Sequence, residues 1–330
     1  MKKGNTVFFK NKPCIESFSA VCGSKEKEGI IGQYADIALD DDMYGESTYE
    51  KAECKMLTTA ILQCIEKRGM TEKDVDVLIS GDLLNQIISA SFAARDYDIP
   101  FLGVYSACST MSESIMLGAM LVNAGYVKRA VAATGSHFAS AERQYRYPLE
   151  LGCTRPPQSQ WTVTGAGSCM IGKSGKIKIV SATMGKVCDF GVTDVNNMGA
   201  AMAPAAADSI MQHLKDTGTQ SDDYDMILTG DLGALGSRIV KDLCWEKGFD
   251  ISKVHVDCGE IIYKVVENEF QGGSGAGCSA TVLNSYVLTK MQAGLYKRIL
   301  FAATGALLST VSSGQGESIP CISHVVEMEL

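Results

Sequence analysis

Cys108 is the residue best placed to do chemistry in this chain. It sits in Tyr105-Ser106-Ala107-Cys108-Ser109-Thr110. The apolar run Ile99-Pro100-Phe101-Leu102-Gly103-Val104 before it reads as a short buried strand. The Met-, Leu- and Ala-rich stretch from Met111 to Asn123 after it reads as a helix that ends at Gly125. Cys108 is therefore expected at a strand-to-helix turn, facing unpaired N–H groups and the positive end of a helix dipole. A thiol so placed has a lowered pKa and is a nucleophile. The same geometry also makes an anion-binding pocket. Plain packing is the third reading, because a free cysteine is commonly a small buried hydrophobe. The chain has 12 cysteines. Cys54 and Cys64 share one helical pattern, Cys169 and Cys188 lie near strands, and Cys244 neighbours Trp245.

A nucleophilic cysteine needs a base and a group that stabilises the oxyanion. Four histidines are available, His137, His213, His255 and His324. His213 lies close to Lys215 and Asp216 and reads as a solvated helix face. His255 alternates with Val254 and Val256 and is expected to point out of a strand. His324 belongs to the last strand, Cys321 to Val326. His137 follows Ala132-Ala133-Thr134-Gly135-Ser136, the end of a strand beside the cysteine helix. It is either a pocket residue or a loop histidine satisfied by backbone. Asp82 and Asp231 each follow a strand, and read either as caps of the next helix or as groups at a cleft rim. An aspartate close to Cys108 would raise the thiol pKa. Arg143, Arg146 and Arg155 are the candidate cations, with a solvated loop as the bland alternative.

The elements that must position these groups come from the whole chain. It has 330 residues, enough for about two domains or one large α/β unit. Hydrophobic residues make up 46% and charged residues 21%, which suits a globular protein with a real core. The formal charge of −8 and the lack of a basic stripe argue against nucleic acid as a partner. Gly, Asn and Ser interrupt the apolar stretches before they reach a bilayer span. Met1 to Asn5 has no secretory apolar core behind it. No C-x-x-C pair occurs, so neither a zinc site nor a disulfide framework is expected, and no cofactor is expected.

The chain repeats itself. Val75-Asp76-Val77-Leu78-Ile79-Ser80-Gly81-Asp82-Leu83 matches Tyr224-Asp225-Met226-Ile227-Leu228-Thr229-Gly230-Asp231-Leu232. Asn123-Ala124-Gly125-Tyr126-Val127-Lys128-Arg129 matches Gln292-Ala293-Gly294-Leu295-Tyr296-Lys297-Arg298. Ala132-Ala133-Thr134-Gly135 matches Ala302-Ala303-Thr304-Gly305. Asp231 is 149 residues after Asp82 and Gly305 is 170 after Gly135, so the second copy carries 21 extra residues between these landmarks. Helix and apolar strand alternate in both copies, which implies βαβ units and mainly parallel pairing. Two related halves are expected, residues 1–175 and 176–330, with a site at their junction. Cys108 of the first corresponds to Gly277-Cys278 of the second.

These features together resemble the thiolase superfamily, which includes the β-ketoacyl synthases. Thr162-Val163-Thr164-Gly165-Ala166-Gly167-Ser168, Gln271-Gly272-Gly273-Ser274-Gly275-Ala276-Gly277-Cys278 and Ser312-Ser313-Gly314-Gln315-Gly316-Glu317-Ser318 resemble its glycine turns. The resemblance implies an α/β fold of two similar halves in a five-layered α-β-α-β-α arrangement, with Cys108 at the nucleophile position. In that superfamily the catalytic histidine, with an asparagine or a second histidine, comes from second-half loops. Here those loops read Thr229 to Gly233 and Gly272 to Ala280, and neither holds a histidine.

A narrower resemblance is to the stage V sporulation protein AD family. It rests on Gly81-Asp82-Leu83-Leu84-Asn85-Gln86, Ala201-Met202-Ala203-Pro204-Ala205-Ala206-Ala207-Asp208, Thr229-Gly230-Asp231-Leu232-Gly233, Gly314-Gln315-Gly316-Glu317-Ser318-Ile319-Pro320 and Asn5-Thr6-Val7-Phe8-Phe9. It implies a non-catalytic protein that binds dipicolinic acid, free or as its calcium chelate. It implies action with other SpoVA proteins in dipicolinate uptake into the spore, and a cytoplasmic or forespore location peripheral to the spore inner membrane; the thiolase-like fold implies a homodimer. The ligand residues expected are Cys108, Asp82, Ser136, His137, Arg155 and Asp231, with Phe138, Tyr145, Tyr147 or Trp161 as aromatic walls. The alternative is an acyltransferase with Cys108 as nucleophile.

Overall fold

The computed structural model describes every residue except Tyr147, Pro148, Cys153, Val265 and 267–270, and describes Glu150 in its backbone alone. Ten strands form the spine of a 13-stranded sheet. Across it they run His255–Asp257, Met226–Thr229, Arg298–Ala306, Cys321–Glu329, Ile177–Thr183, Cys14–Cys22, Gly165–Gly172, Ala130–Ser136, Val77–Gly81 and Phe101–Gly103. The order is the same read outward from the centre in either direction. Strands 14–22 and 177–183 meet antiparallel, Ile177 opposite Ile15 and Lys178 opposite Cys14. Each then has two antiparallel neighbours in succession, followed by two parallel ones.

The sheet is thus mixed, where the sequence pattern suggested mainly parallel pairing. Helical crossovers explain which strands are parallel. Helix Ile88–Arg95 links strands 77–81 and 101–103, and helix Thr110–Ala124 links 101–103 to 130–136. Helix Gly233–Glu246 does the same between 226–229 and 255–257. A parallel pair needs such a crossover, whereas the inner strands return without one between neighbours 298–306 and 321–329.

Helices form the other layers. Helix Tyr49–Glu66 buries Ala52, Met56, Leu57, Ala60, Ile61, Cys64 and Ile65, one face at helical spacing, against strands 14–22 and 165–172. Thr48 caps it, accepting from the Lys51 N–H at 3.3 Å. Helices Met198–Thr217 and Gly233–Glu246 cover the opposite outer face. Between the halves lie helix Thr110–Ala124 and helix Ala276–Val282, both touching strands from more than one side. The first buries Met111, Ser114, Ile115, Gly118, Ala119 and Val122, and the second buries all seven of its residues, as a central helix must. The result is the five-layered α-β-α-β-α arrangement.

The two copies repeat in detail. Asp76 accepts the N–H groups of Lys128 and Arg129 at 2.6 and 2.9 Å, and Asp225 accepts those of Lys297 and Arg298 at 2.6 and 2.9 Å. One difference matters for the site. Five residues separate Arg129 from Gly135, but six separate Arg298 from Gly305. The surplus residue moves Thr304 one step along its strand. Thr134 donates to the Gly81 carbonyl at 2.6 Å, whereas Thr304 reaches past Gly230 and donates to the Asp231 carboxylate at 2.8 Å.

Three local readings need correction. The run before Cys108 gives strand Phe101–Gly103, but it is the outermost strand and Leu102 is 46% exposed, because nothing pairs with its far edge. His213 is fully buried, bonded to Thr183 at 2.8 Å and Tyr224 at 3.2 Å, because strand 177–183 packs over that helix face. His255 points inward and meets the Thr229 hydroxyl at 2.9 Å.

Candidate functional site

The Cys108 turn is held by its own residues and by the opposite half. Val104 leaves the edge strand, its N–H donating to Ser80 O at 3.1 Å. Ala107 then takes a left-handed conformation, φ 51°, which strains any residue with a Cβ by about 1–2 kcal/mol. The Thr110 hydroxyl donates to Ala107 O at 2.6 Å and fixes the bend. Residues Ala107–Ser109 form a 3₁₀ turn that runs into helix Thr110–Ala124, which ends at left-handed Gly125. From the second half, Ser279 donates to Cys108 O at 3.4 Å, and Ser109 donates across to Ala303 O at 3.0 Å. Gly305 must be glycine here, since a Cβ would sit 2.0 Å from Ser106 O.

The charged group that acts on the Cys108 thiol is the Asp231 carboxyl. Asp231 accepts from Thr304 at 2.8 Å, from Ser274 at 3.2 Å and from the Gly275 N–H at 3.1 Å. Burial pushes its carboxyl up to about 7, despite the hydrogen bonds from Thr304 and Gly275. Burial first, and then the negative charge of Asp231, push the Cys108 thiol well above the ordinary thiol range. The lowered thiol pKa suggested by the helix N-terminus is therefore corrected. Desolvation and a facing carboxylate outweigh the helix amides.

No histidine supplies a base. His137 accepts from Ala139 N–H at 3.1 Å on Nδ1, so Nε2 carries the proton and donates to Asp42 O at 2.9 Å. His255 is engaged by Thr229, and His324 accepts the Gly185 N–H at 3.2 Å. Burial lowers the pKa of all three, to about 3 for His255 and about 4 for His324, so they stay neutral.

In front of Cys108 lies a narrow cavity of about 60 Å³. The first half contributes Leu83, Tyr105, Cys108, Tyr145 and Arg146, and the second contributes Met198, Met202, Gly275, Ala306 and Leu308. Its walls are mostly apolar. Tyr145 donates its hydroxyl to Leu83 O.

The six residues expected as ligands are placed as follows. Cys108 lines the cavity, and Asp231 lies behind the wall made by Ser274 and Gly275. Asp82 occupies the matching place in the first half, yet it is turned to other work. It accepts the N–H groups of Leu84 and Ala90, both at 2.7 Å, holding the start of helix Ile88–Arg95. Its charged neighbour is Glu53, and burial raises both carboxyls, Glu53 the more strongly. Ser136 donates to Val163 O at 2.7 Å and accepts the Gly277 N–H at 2.9 Å, tying strand 130–136 to the central helix. His137 caps helix Phe138–Tyr145. Arg155 pairs with Glu142 at 3.1 Å and lies over Phe138 and Trp161, which stack on each other 3.8 Å apart. Arg143 pairs with Glu50 at the surface. Of the aromatic candidates Tyr145 faces the cavity, and Tyr147 lies outside the described residues.

Met198, Met202 and Leu308 carried no sequence signal as wall residues, because they come from a distant helix and loop of the other half. Tyr105 was legible, three residues before the cysteine. Among the described residues no group of three or more His, Cys, Asp or Glu side chains is arranged to hold a metal ion, and no helix is long and apolar enough to cross a membrane.

Comparison with known proteins matches this geometry to two levels of kinship. Solved structures share the fold at low identity. 3-Oxoacyl-[acyl-carrier-protein] synthase III from Aquifex aeolicus VF5 is 11% identical, with TM-score 0.59, covering 96% of this chain and 100% of that one. Xanthomonas campestris OleA with bound cerulenin is 13% identical, with TM-score 0.64, covering 100% of both chains. The stage V sporulation protein AD of Bacillus subtilis (strain 168) is 45% identical over 325 residues, 98% of this chain and 96% of that protein. The family profile of stage V sporulation protein AD matches residues 3–329. The chain therefore has the thiolase-like fold and belongs to the stage V sporulation protein AD family.

Proposed function

We propose that this sporulation protein is a non-catalytic binder of dipicolinic acid, acting with other SpoVA proteins in dipicolinate uptake into the spore. One observation carries the reading: the buried Cys108 thiol has the Asp231 carboxyl as its charged neighbour, while His137, His255 and His324 are engaged elsewhere. A condensing enzyme needs a thiolate. Here the thiol pKa lies well above its ordinary value, and above the value of about 7 of the neighbouring Asp231 carboxyl. Proton transfer from Cys108 to Asp231 is therefore uphill, which argues against acyl transfer through Cys108.

The cavity supports a ligand of this kind. Dipicolinate is a flat ring with two carboxylates, so it needs apolar walls and donors placed at its edges. Leu83, Met198, Met202 and Leu308 provide walls, and Tyr105 provides a hydroxyl. The buried Asp231 carries a proton through much of the range below pH 7, which limits its repulsion of an anion. The calcium chelate is accommodated by the same reading with metal bound to the ligand. A homodimer is part of the proposal too. The outer edge of strand Phe101–Gly103 is unpaired, and Phe92, Leu102 and Tyr105 are exposed beside it. A peripheral place at the spore inner membrane, through membrane-bound partners, completes the proposal.

Calorimetric titration tests the function. The protein should bind dipicolinate, bind benzoate more weakly, and show no heat with coenzyme A. Saturable coenzyme A binding, or acetyl transfer to Cys108 from acetyl-coenzyme A, would favour the acyltransferase instead.

A further inference from the structure

Arg146 is an arginine kept inside the protein with part of its donor set unused. Its side chain is 8% exposed. One guanidinium nitrogen, Nη1, donates to the Glu142 carboxylate one helical turn away. The Nε–H is buried and has no hydrogen-bond partner among the described residues. Buried polar groups are almost always satisfied, so an orphaned donor calls for an explanation. Arg146 lines the Cys108 cavity, and it also lines a neighbouring cavity of about 260 Å³ that contains Phe138, Arg155 and Trp161. It stands at the partition between the two.

Glu142 has a second cationic partner, since Arg155 Nη1 donates to the same carboxylate oxygen at 3.1 Å. Releasing Arg146 would not leave Glu142 bare. A guanidinium binds a carboxylate best through two parallel N–H groups, and the edge that includes Nε is one such fork. That edge is not the one committed to Glu142.

We infer that Arg146 is the carboxylate-recognising residue of the Cys108 cavity, selecting planar aromatic acids by turning its shielded Nε edge towards them while Glu142 holds Nη1. This deepens the proposed dipicolinate site and rests on that reading for the identity of the ligand. Arg155, the cation expected from the sequence, then serves as the counter-charge that steadies Glu142. The cavity's apolar walls take the ring, and Arg146 takes one carboxylate. The second carboxylate is left to the amides at the Cys108 turn.

The test is calorimetric titration of dipicolinate, isophthalate, picolinate and benzoate into the parent protein and three variants, with thermal melting in parallel. Arg146→Gln should weaken dipicolinate by about 10–100-fold, the loss of a charge-assisted contact, and should shrink the preference for dicarboxylates over monocarboxylates. Arg146→Lys keeps the charge and the Glu142 pair, so it should fold and still lose most of that factor. Glu142→Gln removes the carboxylate that holds the guanidinium in place and should weaken dipicolinate too, by less than Arg146→Gln. Dipicolinate binding within twofold of the parent in folded Arg146→Gln or Arg146→Lys protein would overturn the inference. If the parent bound isophthalate or benzoate in an Arg146-dependent way but not dipicolinate, the role of Arg146 would stand and the dipicolinate reading would fall. Binding of no aromatic acid by the parent would overturn both.

Discussion

Asp231→Asn separates the two consequences of burying a carboxyl against Cys108. The carboxyl is held at about 7 against an ordinary value of 3.8. Its folded-state pKa is raised, so between these values the folded protein binds more protons than the unfolded chain. Stability therefore falls as pH rises from about 4 to about 7 and levels off above that. About three pH units at ~1.4 kcal/mol each amount to about 4 kcal/mol of destabilisation above pH 7 from this group alone. Asparagine cannot ionise and removes that slope. It gives up one of the acceptor oxygens that serve Thr304, Ser274 and Gly275, a cost of about 1–3 kcal/mol that does not vary with pH. Denaturant unfolding of parent and variant at pH 5 and pH 8 should show the variant less stable at pH 5 and equal or more stable at pH 8. The difference should shift by about 3 kcal/mol between the two. The thiol should respond as well. Without the facing carboxylate, the pH at which Cys108 is half-alkylated by iodoacetamide should drop, although burial keeps it above the ordinary value. A stability difference independent of pH, together with an unchanged alkylation profile, would refute the pairing of Cys108 with Asp231.

Three other outcomes follow from the same structure. Glu53→Gln should cost less than about 1 kcal/mol at pH 7 by denaturant unfolding, because burial and the charge of Asp82 already keep Glu53 protonated; a loss above about 3 kcal/mol would mean that it is ionised. Gly305→Ala should lower stability by about 3 kcal/mol or more, since the new Cβ meets the Ser106 carbonyl at 2.0 Å, and a neutral effect would contradict the close contact between the Cys108 turn and strand 298–306. Incubation with acetyl-coenzyme A should leave Cys108 unmodified by mass spectrometry, and a stable acyl adduct lost in Cys108→Ala would show that the thiol is a working nucleophile.

The repeat was legible because its landmarks sit where strands end. Gly-Asp-Leu and Ala-Ala-Thr-Gly mark backbone positions that any member of the sheet must satisfy, and Asp76 and Asp225 do identical work on the next strand's amides. Cys108 was legible because an apolar run, a small-residue turn and a helix pattern meet there. The pairing partner was harder to see. Asp82 and Asp231 are equivalent in sequence, but the single extra residue before Thr304 gives Asp231 a hydroxyl that Asp82 lacks, and Asp82 caps a helix instead. The burial of His213 was hidden because its neighbours on the helix, Lys215 and Asp216, suggested solvent, while the covering strand 177–183 lies 30 residues earlier. Arg146, just after helix Phe138–Tyr145, lines the Cys108 cavity, and Arg155, in the loop beyond, does not. No spacing in the sequence encodes that.

The most direct measurement is dipicolinate titration of the parent beside Cys108→Phe, with melting curves for both. The cavity in front of Cys108 is narrow, and a phenyl side chain at that position would project into the place proposed for the ligand's ring. Overpacking should cost about 1–3 kcal/mol, leaving a folded protein with a modestly lowered melting point. The account predicts saturable dipicolinate binding by the parent and none by folded Cys108→Phe. Equal affinity in the two proteins would contradict the placement of the ligand between the halves at Cys108.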